Sequence, residues 1–159
     1  MVETFSPRLH LRGVTDIICH NNDDFYITEE NKRIPVDNYR MFKKLLRQSS
    51  LAHVLINKEE QGVMVVWKSI GNNVPRHYIK FNVSSVNVAD KLLTTILWNE
   101  FKPLYIKIKK SSPFMQTFKN KGFTFIGDRG NEVLLTLNNT FRKKYVNNST
   151  YNKDSDIIE

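Results

Sequence analysis

The chain is short of cysteine, glycine and proline, and each shortage removes a class of protein. A single cysteine, Cys19, cannot close an internal disulfide and cannot supply a multi-cysteine zinc framework. A chain without disulfides suits a reducing, cytosol-like compartment. Six glycines and five prolines exclude collagen-like and low-complexity composition. No run approaches the roughly 18 consecutive apolar residues of a membrane-spanning helix. The first dozen residues include Glu3 and lack the apolar core of a secretory signal, so no export through a signal peptide is expected. Sequons such as those at Asn82 and Asn148 then read as chance products of an asparagine-rich chain. His10, His20, His53 and His77 are scattered, and only Cys19 and His20 are neighbours. Adjacent strand residues face opposite sides, so no metal site is expected.

What remains is a core-forming, basic chain. Hydrophobic residues make up 40% and aromatic residues 11%, with ten Phe among them. That is enough to fill one core in 159 residues. The expected organisation is a single domain over 1–138 and a polar, partly basic tail over 139–159. Twenty-four Lys and Arg against sixteen Asp and Glu give a formal charge of +8. Charge of this sign attracts nucleic acid, anionic lipid, phosphorylated cofactors or acidic protein surfaces alike.

Periodicity divides the chain into elements. Residues 15–27 read as a strand, an Asn-Asn-Asp-Asp turn at 21–24 and a short extended piece. Asp37 is a suitable cap for a helix over 38–48. In it Tyr39, Phe42, Leu45 and Leu46 share one face, and Arg40, Lys43, Lys44 and Arg47 form a solvated basic face. Strands follow at 51–57 and 62–68, joined by a short polar link that ends at Gly62. The unbroken apolar run from Val63 to Trp67 suits a central strand covered on both faces. A turn at 70–75 leads to a strand at 77–83 and completes an antiparallel meander.

The period then becomes helical. Ala89, Leu92, Leu93, Ile96 and Leu97 make a stripe that ends near Trp98 and Asn99. Pro103 opens a strand at 104–108, with Leu104, Ile106 and Ile108 on one side and Tyr105, Lys107 and Lys109 on the other. A helical crossover between 77–83 and 104–108 predicts that these two strands run parallel. Pro113 suits the first turn of a short helix over 113–121, which Gly122 stops. Strands at 123–126 and 133–137 flank an Asp-Arg-Gly-Asn hairpin turn.

Residues 101–127 contain Lys102, Lys107, Lys109, Lys110, Lys119 and Lys121 and no Asp or Glu. Such a stripe could follow a phosphate backbone while Tyr105 stacks on a base, or meet an acidic protein surface, or be a plain solvated face. Arg142, Lys143 and Lys144 extend the charge into the tail.

The order of elements (helix, three-strand meander, helix, strand, helix, terminal hairpin) resembles the GNAT superfamily, the GCN5-related N-acetyltransferases, over about residues 14–137. Its most specific local piece is Phe114-Met115-Gln116-Thr117-Phe118-Lys119-Asn120-Lys121-Gly122-Phe123, similar to the family's last helix running into a Gly-Phe. The resemblance implies an α/β fold with a mixed, mainly antiparallel sheet flanked by helices. It also implies a V-shaped splay between the fourth and fifth strands, here 77–83 and 104–108, which in the family holds acetyl-coenzyme A. Backbone amides of Val83, Ser84, Ser85, Val86, Asn87 and Val88 would then cradle the pyrophosphate.

Two departures from the family pattern affect function. The family's loop reads Arg/Gln-x-x-Gly-x-Gly/Ala, whereas Ser84 to Lys91 contain no glycine and form a shorter turn. Ser84, Ser85 and Asn87 could cap the helix, and Asp90 in its first turn would oppose a phosphate. Many family members also use a Tyr as general acid where this chain has Phe118, which has no proton to give. Glu59 and Glu60, in the link between strands, stand where a carboxylate could act as base or lie in a solvated turn. Small GNAT-like proteins of short-tailed phages, some carried in the virion, show similarly degraded loops and resemble this chain in length and basicity.

The expected function is that of a catalytically degraded GNAT-fold protein that binds protein or nucleic acid, in a virion or in host takeover. It would have no catalytic residue and no cofactor. One alternative is an acyl-CoA-dependent N-acetyltransferase with a non-standard loop and acetyl-coenzyme A as cofactor. A second is a sequence-independent nucleic-acid-binding protein.

Overall fold

The computed structural model describes residues 1–20, 25–69, 75–100 and 102–138. The turn expected at 21–24, most of that at 70–75, and the tail with Arg142, Lys143 and Lys144 lie outside the described residues.

The N-terminal segment departs from its sequence reading. Residues 15–19 belong to a helix, α1 (Pro7–Cys19), preceded by the two-residue strand β1 (Glu3–Thr4). The β-branched Thr15, Ile17 and Ile18 favour an extended reading of this stretch. The deciding pattern begins earlier, where His10, Val14, Ile17 and Ile18 line one buried helical face and Pro7 stands at the helix start. A hairpin follows, β2 (Tyr26–Glu29) and β3 (Lys32–Pro35), turning through Glu30 and Asn31 at positive φ. The next helix, α2 (Tyr39–Arg47), is capped one residue later than expected. Asn38, not Asp37, accepts the Met41 N–H at 3.0 Å.

The meander forms as expected: β4 (Ser49–Ile56), β5 (Gln61–Ser69) and β6 (Arg76–Val83) pair antiparallel in sequence. Then come α3 (Val86–Asn99), β7 (Leu104–Lys109), the short α4 (Met115–Asn120), β8 (Thr124–Arg129) and β9 (Glu132–Leu137). Gly122 has φ +100 just past α4, a conformation open to glycine and costly for other residues. The seven-stranded sheet runs β1-β4-β5-β6-β7-β9-β8, and only β6 and β7 are parallel.

Each face of the sheet carries its own core. Leu55, Met64, Val66, Ile79, Leu104, Ile106 and Leu135 pack under α3 and α4. Val54, Val63, Val65, Trp67, Tyr78 and Leu134 pack under α1, α2 and the β2–β3 hairpin. The apolar run of β5 therefore alternates between two cores, as a central strand requires. Gly62 lets α3 approach β5 closely, because a Cβ there would stand 2.6 Å from Val88 Cγ1.

Candidate functional site

Parallel pairing of β6 and β7 is confined to two positions, His77 with Leu104 and Tyr78 with Tyr105. Both strands continue beyond this point, each tied to its other neighbour: β6 to β5, and β7 to β9. The result is a fork whose narrow crevice is lined by Tyr26, Ile79, Lys80, Phe81, Lys107 and Ile108. The crevice, about 10 Å³, has space for roughly one water.

On the α3 side the fork is closed by aromatic rings. Phe81 meets Phe114 edge-on at 5.2 Å and Phe118 at 5.6 Å, and Phe118 meets Phe123 at 5.3 Å. Phe118 is fully buried in this apolar cluster. It offers no proton at the place where the resemblance would put a general acid.

The turn from β6 into α3 uses the Ser84 and Val88 amides internally. The Ser84 N–H donates to the Gln61 carbonyl at 2.8 Å, and Ser84 Oγ accepts the Gln61 N–H at 3.1 Å. Ser85 is the helix cap: its Oγ accepts the Val88 N–H at 3.2 Å, and its carbonyl accepts the Ala89 N–H at 3.1 Å. Val83 ends β6 beside Gly62, and Val88 is fully buried. Val86 is exposed at the helix start, and the Asn87 side chain donates to Glu60 Oε2 at 3.0 Å.

Glu60 is not a free turn residue. Lys91 Nζ also donates to its Oε2, at 2.8 Å. The Lys91 hydrogen bond foremost, and then the Asn57 side chain, hold the Glu60 carboxyl below the ordinary carboxylate range. An ion pair of the protein itself, Glu60 with Lys91, therefore stands at the start of α3, with its carboxylate where the helix dipole favours an anion. A diphosphate would meet that carboxylate and only part of the set of amides, so these residues fit a diphosphate poorly. Asp90, expected in the first turn, is the fifth residue of α3 and pairs with Lys121 at 3.0 Å.

The basic stripe divides between the two faces of the sheet. Tyr105, Lys107 and Lys109 do share one face of β7, on the side of α1, α2 and the β2–β3 hairpin, as their alternation predicts. Lys119 and Lys121 belong with α4, which covers the opposite face, so the structure does not bring them to Lys107. Lys110 is paired with Asp128 at 2.9 Å and Lys121 with Asp90, which neutralises part of the stripe.

Residues missed in the sequence complete the α1/α2 side of the fork. The Lys80 side chain is buried with Nζ 3.9 Å from the centre of the Tyr26 ring and 5.3 Å from that of Trp67. The Arg33 guanidinium also lies over the Tyr26 ring, 4.3 Å from its centre, and donates to Glu132 at 2.7 Å. Arg76 lies 4.6 Å from the Tyr105 ring. The period-two spacing of Arg76, Tyr78 and Lys80 was a legible signal for this face. Arg33 had none, because its hairpin is too short to announce itself.

The element order and the parallel β6–β7 pair within a mainly antiparallel sheet match the expected fold, and solved structures agree. The chain has the GNAT fold. It is similar to the ribosomal-protein-alanine N-acetyltransferase of Brucella melitensis, at 12% identity over 86% of this chain and 98% of that one, with a TM-score of 0.59. It is also similar to apo FdhC, a nucleotide-linked sugar GNAT, at 12% identity over 94% of this chain and 92% of that one, with a TM-score of 0.61. No protein-family model matches the chain, and no curated protein does. At this identity the likeness concerns the GNAT fold itself, and the chemistry has to be argued from the residues. Among the described residues no three His, Cys, Asp or Glu side chains are grouped to hold a metal, and no helix is long and apolar enough to cross a membrane.

Proposed function

We propose that this chain is a GNAT-fold binding protein rather than an acyltransferase, and that it engages an anionic partner through the basic face of β7. The observation that carries the reading is the Glu60 carboxylate, hydrogen-bonded to Asn87 and Lys91 at the start of α3. It sets a carboxylate of the protein itself, already paired with Lys91, against the helix start that an acyl carrier's diphosphate would have to use. Phe118 supports the same reading, since an apolar ring stands in place of a proton donor. The formal charge of +8 supports an anionic partner, either an acidic protein surface in an assembly such as a virion or a nucleic acid. The domain over 1–138 is the folded unit of this reading, with the tail as its extension.

The test is acetyl-coenzyme A at millimolar concentration, read by thermal melting and by the backbone amide signals of residues 84–88. A ligand at a hundred times its dissociation constant stabilises by about 2.7 kcal/mol. In a domain of this size that raises the midpoint by roughly 5 °C or more. The expected result is no shift and no perturbation of those amides. A shift of that size with the amides perturbed overturns the reading and makes N-acyl transfer the function.

A further inference from the structure

The α1/α2 side of the fork has a crossed arrangement of two cations on two rings. Tyr78 and Tyr105 sit side by side at the last paired position of β6 and β7, with ring centres 5.9 Å apart. Arg76 of β6 lies on the β7 ring, 4.6 Å from the centre of Tyr105. Lys107 of β7 lies on the β6 ring, with Nζ 5.5 Å from the centre of Tyr78. Arg33 and Arg129 add positive charge around them, and Glu132, bound to Arg33, is the facing carboxylate.

Neither Arg76 nor Lys107 has a carboxylate within ion-pair distance among the described residues. Lys44, Lys91, Lys102, Lys110 and Lys121 each do. Partial burial first, and the charges of Arg33, Arg129 and Arg76 after it, lower the proton affinity of Lys107, while Glu132 raises it. Arg33, Arg76, Lys107 and Arg129 face the single carboxylate of Glu132, which Arg33 already engages, and such an excess of like charge is relieved when an anion arrives. The aromatic rings hold both cations in place beforehand, which reduces the ordering cost of binding.

We propose that Arg76 and Lys107, set on the Tyr78–Tyr105 pair, form a compact site for the phosphate group of a small phosphorylated ligand. This goes beyond the binding reading above, which takes a macromolecular partner, and rests on the β7 face being the functional surface. A compact site is favoured over a nucleic-acid track for two reasons. Lys110, just past the end of β7, is already paired with Asp128. Tyr78 is buried and Arg76 lies on the Tyr105 ring, which leaves little ring face for a base to stack on.

The test is an NMR titration of the intact chain with sodium phosphate, then ADP, against sodium chloride at matched ionic strength. Saturable shifts at Tyr105 and Lys107 with phosphate, a rise in the Lys107 pKa on binding and tighter binding of ADP are expected. Arg76→Gln and Lys107→Gln, each confirmed folded by its melt, should weaken binding roughly tenfold, as losing one charge-assisted hydrogen bond would. Lys110→Gln should leave it unchanged. The proposal is overturned by no saturation, by an equal response to chloride, or by equal damage from Lys110→Gln. It is also overturned by binding confined to oligodeoxythymidine with a steep salt dependence, which would make the face a nucleic-acid track. Perturbation of amides 84–88 by acetyl-coenzyme A would overturn the reading of the α3 turn and leave the fork site standing.

Discussion

Phe118→Tyr tests the packing around the fork with a single oxygen atom. The Phe118 side chain is fully buried, with the rings of Phe81 and Phe123 at 5.6 and 5.3 Å. Its surroundings are otherwise the apolar cluster under α3 and α4. A hydroxyl placed there loses its water without gaining a partner, which costs about 1–3 kcal/mol. For a domain of this length that lowers the thermal midpoint by about 3–10 °C. Phe118→Ala sets the scale for losing the whole ring, at about 3–5 kcal/mol. Both variants can be read by urea and thermal unfolding, followed by tryptophan fluorescence. No acetyl transfer should appear in Phe118→Tyr, because the α3 turn is unchanged. A midpoint equal to or above that of the parent would refute the reasoning, since the hydroxyl would then have found a polar partner in the fork.

Three further perturbations follow from the same packing. Both ring nitrogens of His53 are buried with no well-formed hydrogen bond, and burial lowers its pKa below 6.5, offset only in part by a weak contact with the Glu3 backbone. The unfolded chain therefore takes up the proton first, so this stability is intact above the unfolded value and falls as the pH drops below it. The slope approaches about 1.4 kcal/mol per pH unit until the depressed folded value is passed. His77, also lowered chiefly by burial, acts with the same sign. A urea midpoint unchanged between about pH 7 and pH 5 would contradict this. Ser85→Ala removes the α3 cap and should cost about 1 kcal/mol, whereas Ser85→Asp, which keeps a cap acceptor, should recover most of it. Gly62→Ala pushes a methyl to 2.6 Å from Val88 Cγ1 and 2.9 Å from Val83 Cγ1, and should cost about 1–3 kcal/mol by unfolding titration.

Much of the architecture was legible in local pattern. The β4–β6 meander, α3, the alternation of β7 and the terminal hairpin each carry a period and a turn signal of their own. The parallel pairing of β6 and β7 followed from the crossover between them. Helix α1 was read as a strand because its β-branched residues favour one locally, and the helical spacing of His10, Val14, Ile17 and Ile18 becomes decisive once these side chains are seen buried on one face. Hairpin β2–β3 was half seen, since four-residue strands hold too few periods to stand out.

The candidate sites divide in the same way. Composition and alternation determined that the chain is basic and that Tyr105, Lys107 and Lys109 share a face. They also determined that Phe118 has no proton to give and that the turn before α3 lacks glycine. Tertiary structure decided which charges remain available. Lys110 meets Asp128 and Lys121 meets Asp90, whereas Arg76 and Lys107 meet rings. It also placed Glu60 against Asn87 and Lys91, across a gap of 27 and 31 residues. The physical reason is one of range. Periodicity reports which way a side chain faces relative to its own backbone, but a charge is neutralised by whatever register and packing bring within a few ångströms of it.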